Sequence, residues 1–134
     1  IDYHVINDIL KGKEYNIPEQ YAWKGKDGHT RTQNRFKWWM DPFDSVMGDF
    51  LFNCPSELKE LKLQMESHPV VYDREAPPVF FGHYWMEDNY PVIQSHNVVC
   101  LDYSIAKGGN LVAYRWNGEQ KVDRLHFVHV NYSE

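Results

Sequence analysis

Cysteine is scarce in this chain: only Cys54 and Cys100 occur in 134 residues. Neither sits in a Cys-x-x-Cys pair, which excludes a disulfide framework and argues against a zinc knuckle. A reducing, cytoplasmic setting is the expectation. No apolar run approaches the length of a membrane span and no signal peptide opens the sequence, so no membrane partner is expected. Positive charge is also short. The formal net charge of −5 removes any global electrostatic case for nucleic-acid binding. There is no Gly-x-Ser-x-Gly, no Walker loop and no dinucleotide fingerprint, and no internal repeat or low-complexity segment.

Core-forming material is plentiful. Apolar residues make up 43% and aromatics 16%, with five Trp and nine Tyr, which excludes compositional disorder. The length suits one domain or a large piece of one. In the first half, Tyr3, Val5, Ile6, Ile9 and Leu10 recur at helical spacing, with Asp2 as a cap and Gly12 as a stop. Residues 14–17 read as extended, residues 19–31 as an exposed loop with a Lys26-Asp27-Gly28 turn, and residues 32–40 as helix or strand. Asp41-Pro42 predicts a helix over residues 43–50, and Pro55-Ser56 a second start running through Leu58, Leu61 and Met65.

The texture changes at Pro77. Residues 79–84, 98–103, 111–116 and 125–130 are short β-rich runs, separated in part by Gly108-Gly109-Asn110 and Asn117-Gly118, both hairpin signals. The expected fold class is α+β: residues 1–76 mainly helices and loops, residues 77–134 an antiparallel β-sheet of about four strands. Val79-Phe80-Phe81 and Val98-Val99-Cys100-Leu101 are continuous apolar runs, implying burial on both faces. A chain this small offers limited cover, so association through an exposed sheet, as a homo-oligomer or with further protein, is expected.

Candidate chemistry centres on His83. The apolar run before it ends in Gly82-His83, so a strand delivers one imidazole to a loop, where a metal such as Mn, Fe, Ni or Zn can be met. The plainer alternative is a buried imidazole bonded to a backbone carbonyl. Asp102 is placed to orient a histidine or accept from a loop amide. Lys107, before Gly108-Gly109, offers a charge to a phosphate while the glycines admit backbone amides; a solvated turn lysine is the alternative. Trp38 and Trp39, among Arg31, Arg35 and Lys37, can stack a substrate ring, or else serve as core and half-exposed packing. His96 is a further candidate near the His83 end of the sheet. His126 and His129 fall on opposite faces of a strand, against a shared metal.

Taken together, Phe81-Gly82-His83-Tyr84-Trp85, Asn97 to Cys100, Leu101 to Gly109 and Leu111-Val112-Ala113-Tyr114-Arg115-Trp116 resemble the C-terminal part of calcineurin-like metallophosphoesterases. The similarity is to the bacterial branch with dinucleoside tetraphosphatases and the phosphatase part of polynucleotide kinase-phosphatases. Leu10 to Glu14, Pro18, Lys26-Asp27-Gly28 and Arg35 to Trp39 resemble the segment that follows the catalytic half. The resemblance implies an αββα sandwich and a two-metal hydrolase acting on a phosphorylated small molecule, nucleotide, protein or nucleic-acid end, manganese among its candidate metals. It implies His83 as a metal ligand, in the first histidine position of a Gly-His-x-His motif. Trp85 replaces the second histidine. The family's Asp-x-His, Gly-Asp-x-x-Asp and Gly-Asn-His-Glu/Asp motifs are missing from this sequence. The resemblance therefore implies a fragment, inactive alone and partnered by an N-terminal catalytic half. The alternative is a non-catalytic β-rich module binding a nucleotide, RNA or protein.

Overall fold

The computed structural model describes residues 3–24, 28–62 and 70–131. The chain is mixed α+β, with few helices and small sheets, and it divides into two compact units, Ile1–Val71 and Tyr72–Glu134.

In the first unit, α1 spans Tyr3–Lys11 and ends where the Gly12 N–H donates to the Asp8 carbonyl. Its apolar side chains stay exposed, Ile9 at 76% and Leu10 at 67%. Strand β1 (Glu14–Asn16) pairs antiparallel with β4 (Gln33–Arg35), and β2 (Trp23–Lys24) with β3 (Thr30–Arg31). Strand β1 falls in the run expected as extended and β4 in the run expected as helix or strand, while β2 and β3 are additions within the expected loop. Of the helix expected over residues 43–50, only α2 (Met47–Phe50) forms. The Asp41 carboxylate accepts from the Phe43 N–H, and Asp44 is left-handed at φ 54°, so a turn uses up the first half. After Pro55, the described residues of the expected second helix form a 3-10 turn, Ser56–Leu58. Asp2, Met65 and the Lys26-Asp27 part of the expected turn lie outside the described residues. The core gathers Ile17, Phe36, Met47, Phe50, Leu51 and Leu58, with Phe36 and Phe50 stacked at 4.8 Å.

The described residues of the second unit form five strands rather than four, in two sheets. Strand β5 (Val79–Phe81) pairs with β6 (Val98–Cys100) in parallel, with Phe81 opposite Cys100. This corrects the expectation of one antiparallel sheet. The run expected over residues 98–103 breaks at Leu101, whose N–H donates to the Phe81 carbonyl, and Asp102–Tyr103 forms a separate β7. Strand β7 pairs antiparallel with β8 (Asn110–Tyr114), and β8 with β9 (Phe127–Asn131). The apolar run of β6 is buried on both faces, as Val98, Val99 and Cys100 are at most 1% exposed. Buried Asn97 donates from its side chain to the Asp73 and Ala76 carbonyls, both at 2.8 Å, which pins the approach to β5.

Gly108-Gly109 lies in the β7–β8 connection, as the hairpin signal implied. Asn117-Gly118 does not close a tight hairpin: residues 115–126 form a long loop. Glu119 organises that loop. Its carboxylate accepts from the Tyr114 hydroxyl and the Asn117 N–H, lies 2.9 Å from His126 Nδ1, and the Trp116 indole donates to its carbonyl. Leu111, Ala113, Val128 and Val130 leave one face of β8 and β9 exposed, Leu111 at 59% and Val130 at 62%.

Candidate functional site

The parallel pairing of β5 and β6 decides what meets His83. Residues leaving the carboxyl ends of parallel neighbours emerge side by side. Continuing the register two residues past Phe81 and Cys100 brings His83 to Asp102. The His83 backbone N–H donates to Asp102 Oδ2 at 2.9 Å, and the Ser104 N–H to Asp102 Oδ1 at 3.2 Å. Asp102 therefore accepts from loop amides, one of the two roles expected of it. The Met86 N–H donates to the Asp102 carbonyl at 2.9 Å, and the Ser104 hydroxyl to the Met86 carbonyl at 3.1 Å. Residues 82–86 are thus stitched to residues 102–104.

The backbone held by these bonds is unusual. His83, Trp85 and Ser104 all have positive φ, at 67°, 47° and 60°. For residues with a Cβ this conformation is costly and persists only where surroundings enforce it. Enforcement comes from Asp102 and from Tyr84, which is 1% exposed and stacks edge-on against Phe81 at 5.3 Å. With Tyr84 anchored inward, His83 and Trp85 turn outward; His83 is half-buried and Trp85 45% exposed.

Trp85 connects the two predicted site residues of this unit. Its ring meets the His83 imidazole edge-on at 5.6 Å, and Lys107 Nζ sits 3.8 Å from its centroid. An ammonium over an indole face is a favourable cation–π geometry. Lys107 ends the 3-10 turn Ile105–Lys107. The expectation that the neighbouring glycines present free amides is corrected. The Gly108 N–H donates to the Ile105 carbonyl and the Gly109 N–H to the Ser104 carbonyl, so both close the turn. Gly109 is required for a different reason, since a Cβ there would lie 2.0 Å from the Tyr103 carbonyl oxygen.

His96 does not join His83. It precedes β6, whereas His83 follows β5, and parallel strands put those positions at opposite ends of the pair. His129 stacks on Tyr90 at 5.6 Å, and His126 belongs to the Glu119 network. Among the described residues no group of three or more His, Cys, Asp and Glu could hold a metal ion. By themselves these residues do not fit a metal: His83 supplies one imidazole, and Asp102 is engaged by two backbone amides. Burial pushes the Cys100 thiol up to about 11, the dominant effect over its contacts with Asp102 and Tyr84, so it is no thiolate nucleophile near neutral pH.

Trp38 and Trp39 belong to the first unit. They pack edge-to-face at 5.6 Å, with Trp39 buried and Trp38 half-buried against the core. Trp85 is the site residue that residue-type reasoning passed over; its signal was the position two residues after His83. No helix of the described residues is long and apolar enough to cross a membrane. Comparison with protein-family models, curated proteins and solved structures finds no match to any of them.

Proposed function

We propose that this chain is the C-terminal part of a metal-dependent phosphoesterase or phosphoanhydride hydrolase, silent by itself, that supplies one wall of a phosphate site. The observation that supports this reading is the gathering of an imidazole and an ammonium on one indole: His83 and Lys107 on Trp85. An ammonium is suited to a phosphate oxygen, and an imidazole at a fixed strand end suits either a metal or a proton.

In this proposal His83 is one ligand of a centre whose remaining ligands come from an N-terminal catalytic half carrying the three missing motifs. Asp102 aims His83 through the backbone. Trp85 restrains Lys107, reducing the rotamer freedom lost when the ammonium engages an anion. The sandwich architecture, manganese as the metal, a cytoplasmic location and a substrate contact at Trp38 or Trp39 belong to the same proposal.

The test is His83→Ala in a protein that joins this chain to such a catalytic half. Manganese-dependent hydrolysis of p-nitrophenyl phosphate should fall by at least the roughly 10–100-fold that loss of a supporting group costs a metal site. Unchanged hydrolysis would remove His83 from the mechanism.

A further inference from the structure

We infer that the cavity next to Lys107 receives the alcohol part of a phosphate monoester, and that this alcohol is small and polyhydroxylated, as in a sugar phosphate, rather than a nucleoside. The inference rests on the phosphate-site reading and adds its substrate class. The cavity measures about 310 Å³ and is lined by Asp88, Asn89, Tyr103, Ser104, Lys107 and Asn110 among others. That volume is at the low end of small-molecule sites, which run from roughly 300 to 1,000 Å³. A monosaccharide fills it, whereas a dinucleoside extends well beyond its walls.

The lining selects further. Carboxylate and amide oxygens accept hydrogen bonds from hydroxyls, and amide nitrogens donate to them. Tyr103 is the sole aromatic residue in the wall. It is 2% exposed and its hydroxyl accepts from the Val92 N–H, so it offers no open face on which a base can stack. The neighbouring carboxylates of Glu87 and Asp88 repel a second or third phosphate, which favours a single phosphate held at the Lys107 end. Lys107 belongs both to this cavity and to the Trp85 cluster, which sets the phosphate at their boundary. The walls are braced before any ligand arrives: the Asn110 side chain donates to the Asn89 carbonyl at 2.9 Å, and Ser104 to Met86.

The test is titration of the 134-residue chain, followed by amide chemical shifts, with inorganic phosphate, ribose 5-phosphate, phosphoethanolamine and AMP. Ribose 5-phosphate should bind about tenfold tighter than inorganic phosphate, the gain of one or two net hydrogen bonds. It should shift Asp88, Asn89 and Asn110 as well as Lys107. Asp88→Ala, at an exposed position, should erase that gain, while inorganic phosphate, relieved of a neighbouring negative charge, binds no weaker than to the parent. AMP should bind no tighter than ribose 5-phosphate, and phosphoethanolamine no tighter than phosphate. If phosphate shifts Lys107 and Trp85 but ribose adds nothing, or AMP or phosphoethanolamine binds best, the substrate class is wrong and the phosphate site stands. If phosphate leaves Lys107 and Trp85 unmoved, the phosphate site and this inference fall together.

Discussion

Replacing Asp102 by Ala tests how the site is held. Three residues with side chains, His83, Trp85 and Ser104, occupy the left-handed region. Each costs roughly 1–2 kcal/mol against an ordinary backbone. The Asp102 carboxylate accepts from two of their three N–H groups. Hydrogen bonds to a charged group contribute about 1.5–3 kcal/mol each when buried, and less at a half-buried position such as Asp102. Asp102→Ala should therefore destabilise the second unit by about 2–3 kcal/mol. At roughly 4–8 °C per kcal/mol for a unit this small, Tm should fall on the order of 10–20 °C. Urea denaturation followed by tryptophan fluorescence measures the loss. Adding His83→Gly should return about 1 kcal/mol in the Asp102→Ala background, because glycine adopts positive φ freely. An Asp102→Ala midpoint equal to the parent's would show that the carboxylate does not hold the turn. Failure of His83→Gly to recover stability would show that the turn is not strained.

Two further outcomes follow from the same geometry. Gly109→Ala forces a Cβ to 2.0 Å from the Tyr103 carbonyl and should cost about 3 kcal/mol or more, with loss of the Lys107–Trp85 contact in amide spectra. Gly118→Ala, at φ 93° with open space around it, should cost only about 1 kcal/mol, and equal losses at the two positions would contradict the close approach. For Glu119, desolvation raises the carboxyl. Bonds from Tyr114, its own N–H, the Asn117 N–H and His126 outweigh this and hold it at about 2, against an ordinary 4.5. A depressed folded pKa adds stability above the unfolded value and loses it as pH falls through the folded one. The stability difference between the parent and Glu119→Gln should thus be full above pH 4.5 and shrink toward pH 2. A difference independent of pH in that range would assign the loop's order to packing alone.

Local physics was legible where one element explains itself. The 3.6-residue spacing from Tyr3 to Leu10 marks α1 from local pattern alone, and its apolar face is exposed among the described residues. The alternation of β8 and β9 and the Gly108-Gly109-Asn110 turn are of the same kind. The helix over residues 43–50 is cut short at Asp44, which turns left-handed at φ 54°. Periodicity does not register such a turn, because the apolar spacing runs on through it. Asn117-Gly118 failed as a hairpin because Glu119 captures Asn117, Tyr114 and His126, and the resulting loop delays β9 to Phe127.

Strand direction was the decisive unread variable, because no local pattern carries it. The continuous apolar runs of β5 and β6 are those of parallel strands, although only β6 is buried on both faces and β5 is half-buried, and Gly and Asn turn signals nearby favour hairpins. The choice determines the chemistry. With Phe80 opposite Val99, antiparallel pairing would carry His83 toward His96 and gather two imidazoles. Parallel pairing in the same register carries His83 to Asp102 instead. The Asp102 carboxylate, bonded to the His83 and Ser104 amides, is committed first to holding the histidine-bearing turn. The direction of one two-stranded ribbon thus leaves this unit with a single aimed imidazole and a Trp-held ammonium. That arrangement suits holding a phosphate better than holding a metal within this unit alone.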